Sequence, residues 1–182
     1  RRGEGNALGN LGIAHRNLGD AIRSIGDYEQ ALEIWREVGD LRSEGHTNAN
    51  LGNAYLTLGD ARRSIEHLER ALEIARQIGD RRGEGSSTGS LGIAYAELGE
   101  TGRAIEFYER ALELARETGH RRGEGSILGN LGVAHRELGD VRRAIWYHEQ
   151  ALEIAREIGD RRGEGGALWN AALAHDSLGE RA

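Results

Sequence analysis

The run Arg81-Arg82-Gly83-Glu84-Gly85 returns as Arg121 to Gly125 and Arg161 to Gly165, opens the chain as Arg1 to Gly5, and has a degenerate copy at Leu41-Arg42-Ser43-Glu44-Gly45. The step is 40 residues each time. A fixed period of that size means stacked supersecondary units, each of which buries its apolar face only against its neighbours. The 182 residues divide into units 1-40, 41-80, 81-120 and 121-160 and a partial unit 161-182. No linker or shift in composition interrupts them, so a single array over 1-182 is expected.

Two helical patterns fill each unit. In the first, helix A, Leu8, Leu11, Ala14 (or Ile13) and Leu18 recur at three- and four-residue steps. Leu18-Gly19-Asp20 ends it and is repeated at 58, 98 and 138, with Glu100 in place of Asp in the third copy. Glycine there suits the left-handed position after a helix, and the acid can cap the helix that follows. Helix B runs from about residue 21 to 38, with Ile25, Tyr28, Ala31, Leu32, Ile34 and Val38 as its apolar stripe, and stops at Gly39-Asp40. Nine helices joined by turns of two or three residues must pack antiparallel with their neighbours. Gly12, Gly52, Gly92 and Gly132 fall mid-helix, where glycine costs about 1 kcal/mol relative to alanine. Their common phase predicts a close approach of two backbones. Ala31, Ala71, Ala111 and Ala151 are assigned the same role on helix B.

These positions resemble the tetratricopeptide repeat (TPR) family, whose signature is Leu-Gly and an aromatic in helix A, then small, aromatic and small residues in helix B. Leu51-Gly52, Tyr55, Ser64, Leu68 and Ala71 carry it in the second unit, and Leu91-Gly92, Tyr95, Ala104, Tyr108 and Ala111 in the third. His15 and His135 stand at the helix A aromatic position in units one and four. The 40-residue unit looks most like the LGN/Pins repeat type and the arrays of bacterial multidomain regulators. It departs from the family's usual 34 residues, and Arg36, Arg76, Arg116 and Arg156 stand where the family ends its unit in proline. The resemblance implies an all-α, right-handed α-solenoid of antiparallel helix pairs.

Composition closes off several functions. Cysteine is absent, which removes disulfides, thiolate metal sites and cysteine nucleophiles. Methionine and proline are absent too, and all 24 basic residues are arginine against 30 acidic ones, for a net charge of −6. That balance argues against nucleic acid as a partner. No apolar stretch approaches the ~20 residues of a membrane span, and no signal peptide opens the chain. A cytoplasmic protein without membrane partners is expected, and the missing initiator methionine points to a fragment. All-arginine usage points to a GC-rich bacterial source.

Catalytic signals are weak. Gly85-Ser86-Ser87-Thr88-Gly89 matches the nucleophile-elbow pattern but lies within helix A, with no strand before it. The Gly-Glu-Gly runs lack the third glycine, strand and lysine of a phosphate loop. His135 and His175 share a phase in adjacent units, roughly 10 Å apart at ordinary helix spacing. Zinc needs its ligands ~2 Å from one centre. No enzyme activity, metal or cofactor is therefore expected. His15, His135 and His175 read as replacements for the interface aromatic. Glu4, Glu44, Glu84, Glu124 and Glu164 read as an inter-repeat salt bridge or cap. Glu66 with Arg70, Glu106 with Arg110, and Glu73, Glu113 and Glu153 with Arg76, Arg116 and Arg156 read as pairs along the outer face of helix B.

In a solenoid, equivalent residues of successive units form ladders across one surface. By resemblance to TPR proteins, a stripe of helix A lines the concave groove. It carries Asn10, Asn50, Asn130 and Asn170, with Ser90 as the lapse, together with Asn53. Asparagine offers donors and an acceptor and can hold the backbone of an extended peptide. The alternative is that it only tightens the stack. Arg16 and Arg136, with Arg42, Arg82 and Arg122 at the rim, would favour acidic groups on such a peptide. Trp169 occupies a phase where other units carry glycine or alanine, as a peptide anchor or as a contact for a further helix. The expected function is a non-catalytic scaffold that binds an extended segment of a protein partner. The alternatives are a structural solenoid that self-associates through uncapped ends, exposed by the stop after Leu178-Gly179-Glu180, or the sensor of a larger bacterial regulator.

Overall fold

The computed structural model describes residues 1–177, and among these there are helices and turns but no strand. In chain order they are α1 (Arg2–Asn17), α2 (Ala21–Val38), α3 (Leu41–Thr57), α4 (Ala61–Gln77), α5 (Arg81–Glu97), α6 (Thr101–Glu117), α7 (Arg121–Glu137), α8 (Val141–Glu157) and α9 (Arg161–Ser177). Odd-numbered helices are the A helices of the repeat and even-numbered ones the B helices. Leu178-Gly179-Glu180 lies outside the described residues.

The turns follow from local chemistry. Gly19, Gly39, Gly59, Gly79, Gly99, Gly119, Gly139 and Gly159 all take φ between 64° and 81°, the left-handed conformation that a Cβ disfavours. Asp20, Asp40, Asp60, Asp80, Asp140 and Asp160 each accept a hydrogen bond from the backbone N–H three residues on, at 2.9–3.1 Å. Such a cap adds about 1 kcal/mol. Glu100 and His120 stand at the same position and make no such bond.

Packing within each pair is knob against notch. The knob is Tyr28, Leu68, Tyr108 or His148 of the B helix, and the notch is Gly12, Gly52, Gly92 or Gly132 of the A helix. A Cβ on any of these glycines would stand 2.4–2.5 Å from that side chain. The expectation of two backbones in close approach is therefore corrected: a large side chain, chiefly, occupies the space. Leu51, Leu91 and Leu131, which follow the same phase on α3, α5 and α7, are fully buried, each contributing about 1.5–3 kcal/mol. The equivalent Leu11 on α1 is 48% exposed, and Leu18, at the helix end rather than in the core, is 81% exposed.

The helix A aromatic column stacks on the B helix of its own unit. Tyr55 lies on His67, Tyr95 on Phe107 and His135 on Tyr147, with ring centroids 5.0–5.4 Å apart. In the first unit the pair becomes polar, His15 Nδ1 to Asp27 Oδ2 at 2.6 Å. His15 and His135 thus stand in the place of the interface aromatic.

On the other side, a charged seam ties each unit to the next. Glu84 is 3% exposed and receives Arg76 Nε at 3.1 Å and Arg81 Nη1 at 2.6 Å. Arg116 and Arg121 hold Glu124 in the same way, at 2.9 and 2.6 Å, and Arg156 and Arg161 hold Glu164. Arg81 and Arg121 continue the seam to Glu117 and Glu157. Burial pushes the Glu84 carboxyl up, but the two arginines outweigh it and hold it below its ordinary value. This is the inter-repeat salt bridge expected of the glutamate column. It also corrects the outer-face pairing, because Arg76, Arg116 and Arg156 reach across to the next unit's glutamate. Arginine in place of the family's proline thus has a partner. In the second unit Leu41 stands at the seam position of Arg81 and Gln77 at that of its acidic partner Glu117, and Glu44 takes Arg70 at 3.2 Å instead.

Successive A helices touch, α3 with α5, α5 with α7 and α7 with α9, whereas successive B helices do not approach comparably. The A helices therefore lie on the inside of the curve.

Candidate functional groove

Three cavities follow one another along the A-helix face. The first, of about 550 Å³, lies between α3, α4 and α5; the second, about 220 Å³, between α5, α6 and α7; the third, about 210 Å³, between α7, α8 and α9. Each reaches down to the B helix because the A helices are thin there. Gly45 and Ala49, Gly85 and Gly89, and Gly125 and Gly129 form the walls, and alanines of the B helix form the floor, such as Ala71 and Ala75 or Ala151 and Ala155. Small residues at these phases thus open space as well as tighten packing.

Most of the ladder lines these cavities. Asn50 and Asn53 line the first, Ser90 and Asn130 the second, and Asn130 and Asn170 the third. Arg42 and Arg82 stand at the first, Arg82 at the second and Arg122 at the third. Asn10, Arg16, Arg136 and Trp169 line none of the three. Asn10 is exposed on α1. Arg16 donates from Nη1 to Asn50 Oδ1 at 3.5 Å, and Arg136 is half-buried. Trp169 is 67% exposed beside Leu168 and Leu173 on α9.

The stacking role weighed for the asparagines is visible at Asn50 and Asn53. Asn53 Oδ1 accepts from Ser90 Oγ of the next unit at 2.9 Å, so part of the ladder ties units together. Yet both bonds, to Asn50 and to Asn53, use only the amide oxygens and leave the NH₂ donors. Among the described residues the side chains of Asn130 and Asn170 make no hydrogen bond at all. Unpaired amides above a small-residue floor can take up the N–H and C=O groups of an extended chain.

One column of the groove escaped the sequence reading. The residues at the N-cap position of the A helices also face the cavities: Asp80 the first, His120 the second and Asp160 the third. Asp80 is held below its ordinary value by the Gly83 N–H, then by His46 (3.5 Å away) and the charge of Arg42. Asp160 is held down by the Gly163 N–H and then by Arg122, 3.9 Å away. The available signal is the alternation of Asp80, His120 and Asp160 at a 40-residue step.

A family model described as tetratricopeptide repeat matches residues 3–77 and 43–117, and a second of the same description matches 127–162. The chain belongs to the tetratricopeptide repeat family. Comparison with curated proteins returns no match. Among solved structures, this TPR array is similar to aspartyl phosphate phosphatase F from Bacillus subtilis, with a TM-score of 0.91 and 16% identity over 99% of this chain and 47% of that one. A Rap protein complexed with Competence and Sporulation Factor gives 0.86 at 18% identity, over 97% and 50%. A putative kinesin light chain from Podosopora anserina, with nearly identical TPR-like repeats, gives 0.79 at 18% identity, over 100% and 90%. The TPR array thus spans about half the length of the first two. Likeness at this identity establishes the fold, an all-α solenoid, and the family is one of protein-interaction scaffolds. No helix among the described residues is long and apolar enough to cross a membrane.

Proposed function

We propose that residues 1–182 act as one continuous, non-catalytic recognition array that binds an extended segment of a protein partner along the A-helix groove, in the cytoplasm. The observation that carries this reading is the row of three cavities in register, each with asparagine or serine on its wall and small residues on its floor. An extended peptide advances about 3.3 Å per residue, so a segment of modest length would cross several units. Its backbone would meet amide groups and its side chains would enter the cavities. The Rap structure complexed with Competence and Sporulation Factor lends support by fold alone.

The experiment is selection of a displayed random-peptide library on the purified array, followed by the Asn50→Ala, Asn130→Ala double variant. Captured peptides should lose about ten-fold or more in affinity with the melting curve nearly unchanged. Affinities equal to those of the parent would refute the reading.

A second reading has its own observation. Leu11, Leu18 and Ile22 near α1, and Leu168, Trp169 and Leu173 on α9, are exposed at opposite ends of the array. Such faces are suited to self-association. Light scattering that shows a monomer at high concentration would exclude it.

A further inference from the structure

The three cavities are copies of one site, which makes their differences informative. In the first, Arg42 faces Asp80, and in the third Arg122 faces Asp160. The carboxylate lies 3.9 Å from Arg122 in the third cavity, and in the first it feels the charge of Arg42 without an ion pair within 4 Å. In the second the corresponding residues are Arg82 and His120, and no aspartate or glutamate lines the cavity. Among the described residues Arg82 has no carboxylate partner within 4 Å, and the Ser86 hydroxyl and Asn130 amide beside it make no hydrogen bond. The cavity therefore presents a cation and several donors with no anion to meet them.

We infer that this middle cavity takes a side-chain carboxylate, Asp or Glu, of the segment bound in the groove, held by Arg82 with His120, Ser86 and Asn130 around it. The inference rests on the peptide-binding reading and gives it a register. Charge complementarity selects the occupant: an arginine fork pairs a carboxylate bidentately, and of the three cavities this one alone is lined by no acid, although Arg82 also lines the first, where Asp80 stands. A side-chain carboxylate fits better than a chain terminus because the groove continues into a cavity on either side. Burial, and then the charge of Arg82, hold His120 below its ordinary value, so near neutral pH it offers an N–H donor and lacks the negative charge that an aspartate would bring. An aspartate here, as in the neighbouring units, would occupy the arginine.

The test compares the parent with His120→Asp, which restores the residue of the neighbouring units and adds a helix cap, so the variant should fold. The probes are acetyl-glutamate-N-methylamide and its glutamine counterpart, titrated while the side-chain NMR signals of Arg82 and His120 are followed. The glutamate probe should give saturating shifts in the parent, about ten-fold weaker with the glutamine probe, and lost in His120→Asp and in Arg82→Ala. Equal responses to the two probes, no saturating shift, or full retention in His120→Asp would each overturn the inference. A specific response to glutamate alongside failed peptide selection would remove the peptide reading while leaving the carboxylate site. Selected peptides without an acidic position would do the reverse.

Discussion

Glu84 and Arg82 sit two residues apart on the first turn of α5, and both belong to columns that recur in all five units. Glu84 turns into the seam, is buried, and has two arginine partners at 3.1 and 2.6 Å. Arg82 turns into the groove, is exposed, and has none. Repetition alone therefore does not separate scaffold from site. What separates these two is saturation: the seam carboxylate is paired by the chain, whereas Arg82 and Asn130 in the groove keep unused bonding capacity. Most buried polar groups find partners within the protein, although His148 and Ser64 do not, while exposed ones can wait for a ligand.

The filled side should break first. In Gly92→Leu, the new Cβ alone would stand 2.5 Å from the Tyr108 ring, and the rest of the side chain has nowhere to go. The expected cost is about 3 kcal/mol, despite the better helix propensity of leucine. Urea denaturation measures it, and Gly92→Leu combined with Tyr108→Ala should lose less than the sum of the two. Strict additivity would mean that the notch is not the reason for the glycine.

His148 is the exposed nerve of that filled side. It occupies the knob position held by Tyr28, Leu68 and Tyr108, is fully buried, and neither ring nitrogen has a partner. Burial, and then Arg136, push its pKa down to about 4. An unfolded histidine titrates near 6.5, so the unfolded chain takes up the proton first. The stabilising contribution is complete above about pH 6.5 and drains away as pH falls toward about 4, with about 2 kcal/mol of it lost by pH 5. His67 and His120, whose pKa values are also lowered, add in the same direction. Stability measured from pH 7.5 to 4.5 should fall by clearly less in His148→Tyr; parallel curves would contradict the assignment.

The seam comes next in size. Glu84→Gln keeps the shape but removes the charge facing Arg76 and Arg81, both of which can still reach water. The expected loss is about 1–2 kcal/mol. The same change at Glu164, which is more exposed, should cost clearly less, because solvent screens its ion pairs. Chemical denaturation of the two variants side by side decides whether burial, and not the pairing itself, sets the value of the column.

How much of this was legible depends on distance along the chain. The left-handed glycines and the aspartate caps act within three or four residues, and Gly39-Asp40 announces both. Glu100 and His120 fail as caps for an equally local reason, since neither side chain makes the short reach that aspartate makes. The role of Glu84 was legible as a kind of interaction, but Arg76 was assigned to the wrong glutamate. The eight-residue step from Arg76 to Glu84, repeated at Arg36, Arg116 and Arg156, carried the answer, and so did the joint change to Leu41 and Gln77. Gly92 showed that something comes close, but the partner, Tyr108, is fixed by how two helices rotate against each other. The groove was legible as a stripe. Its cavities were not, because the alanine floor belongs to the other helix and Asp80 and Asp160 had a sufficient local explanation as caps.

The smallest effect on stability tests the comparison most sharply. Asn130 lines the second and third cavities and makes no hydrogen bond among the described residues, whereas Asn53 accepts from Ser90 at 2.9 Å. If unused bonding capacity marks the site, the two should respond in opposite senses to the same change. Asn53→Ala removes an inter-unit bond and should cost about 0.5–1 kcal/mol of stability. Asn130→Ala should cost less than about 0.5 kcal/mol, yet weaken capture of a selected peptide more than Asn53→Ala does. Thermal melts and fluorescence polarisation on both variants supply the four numbers. An Asn130→Ala protein that melts early and binds normally would make that residue part of the stack, and would move the site away from the middle of the groove.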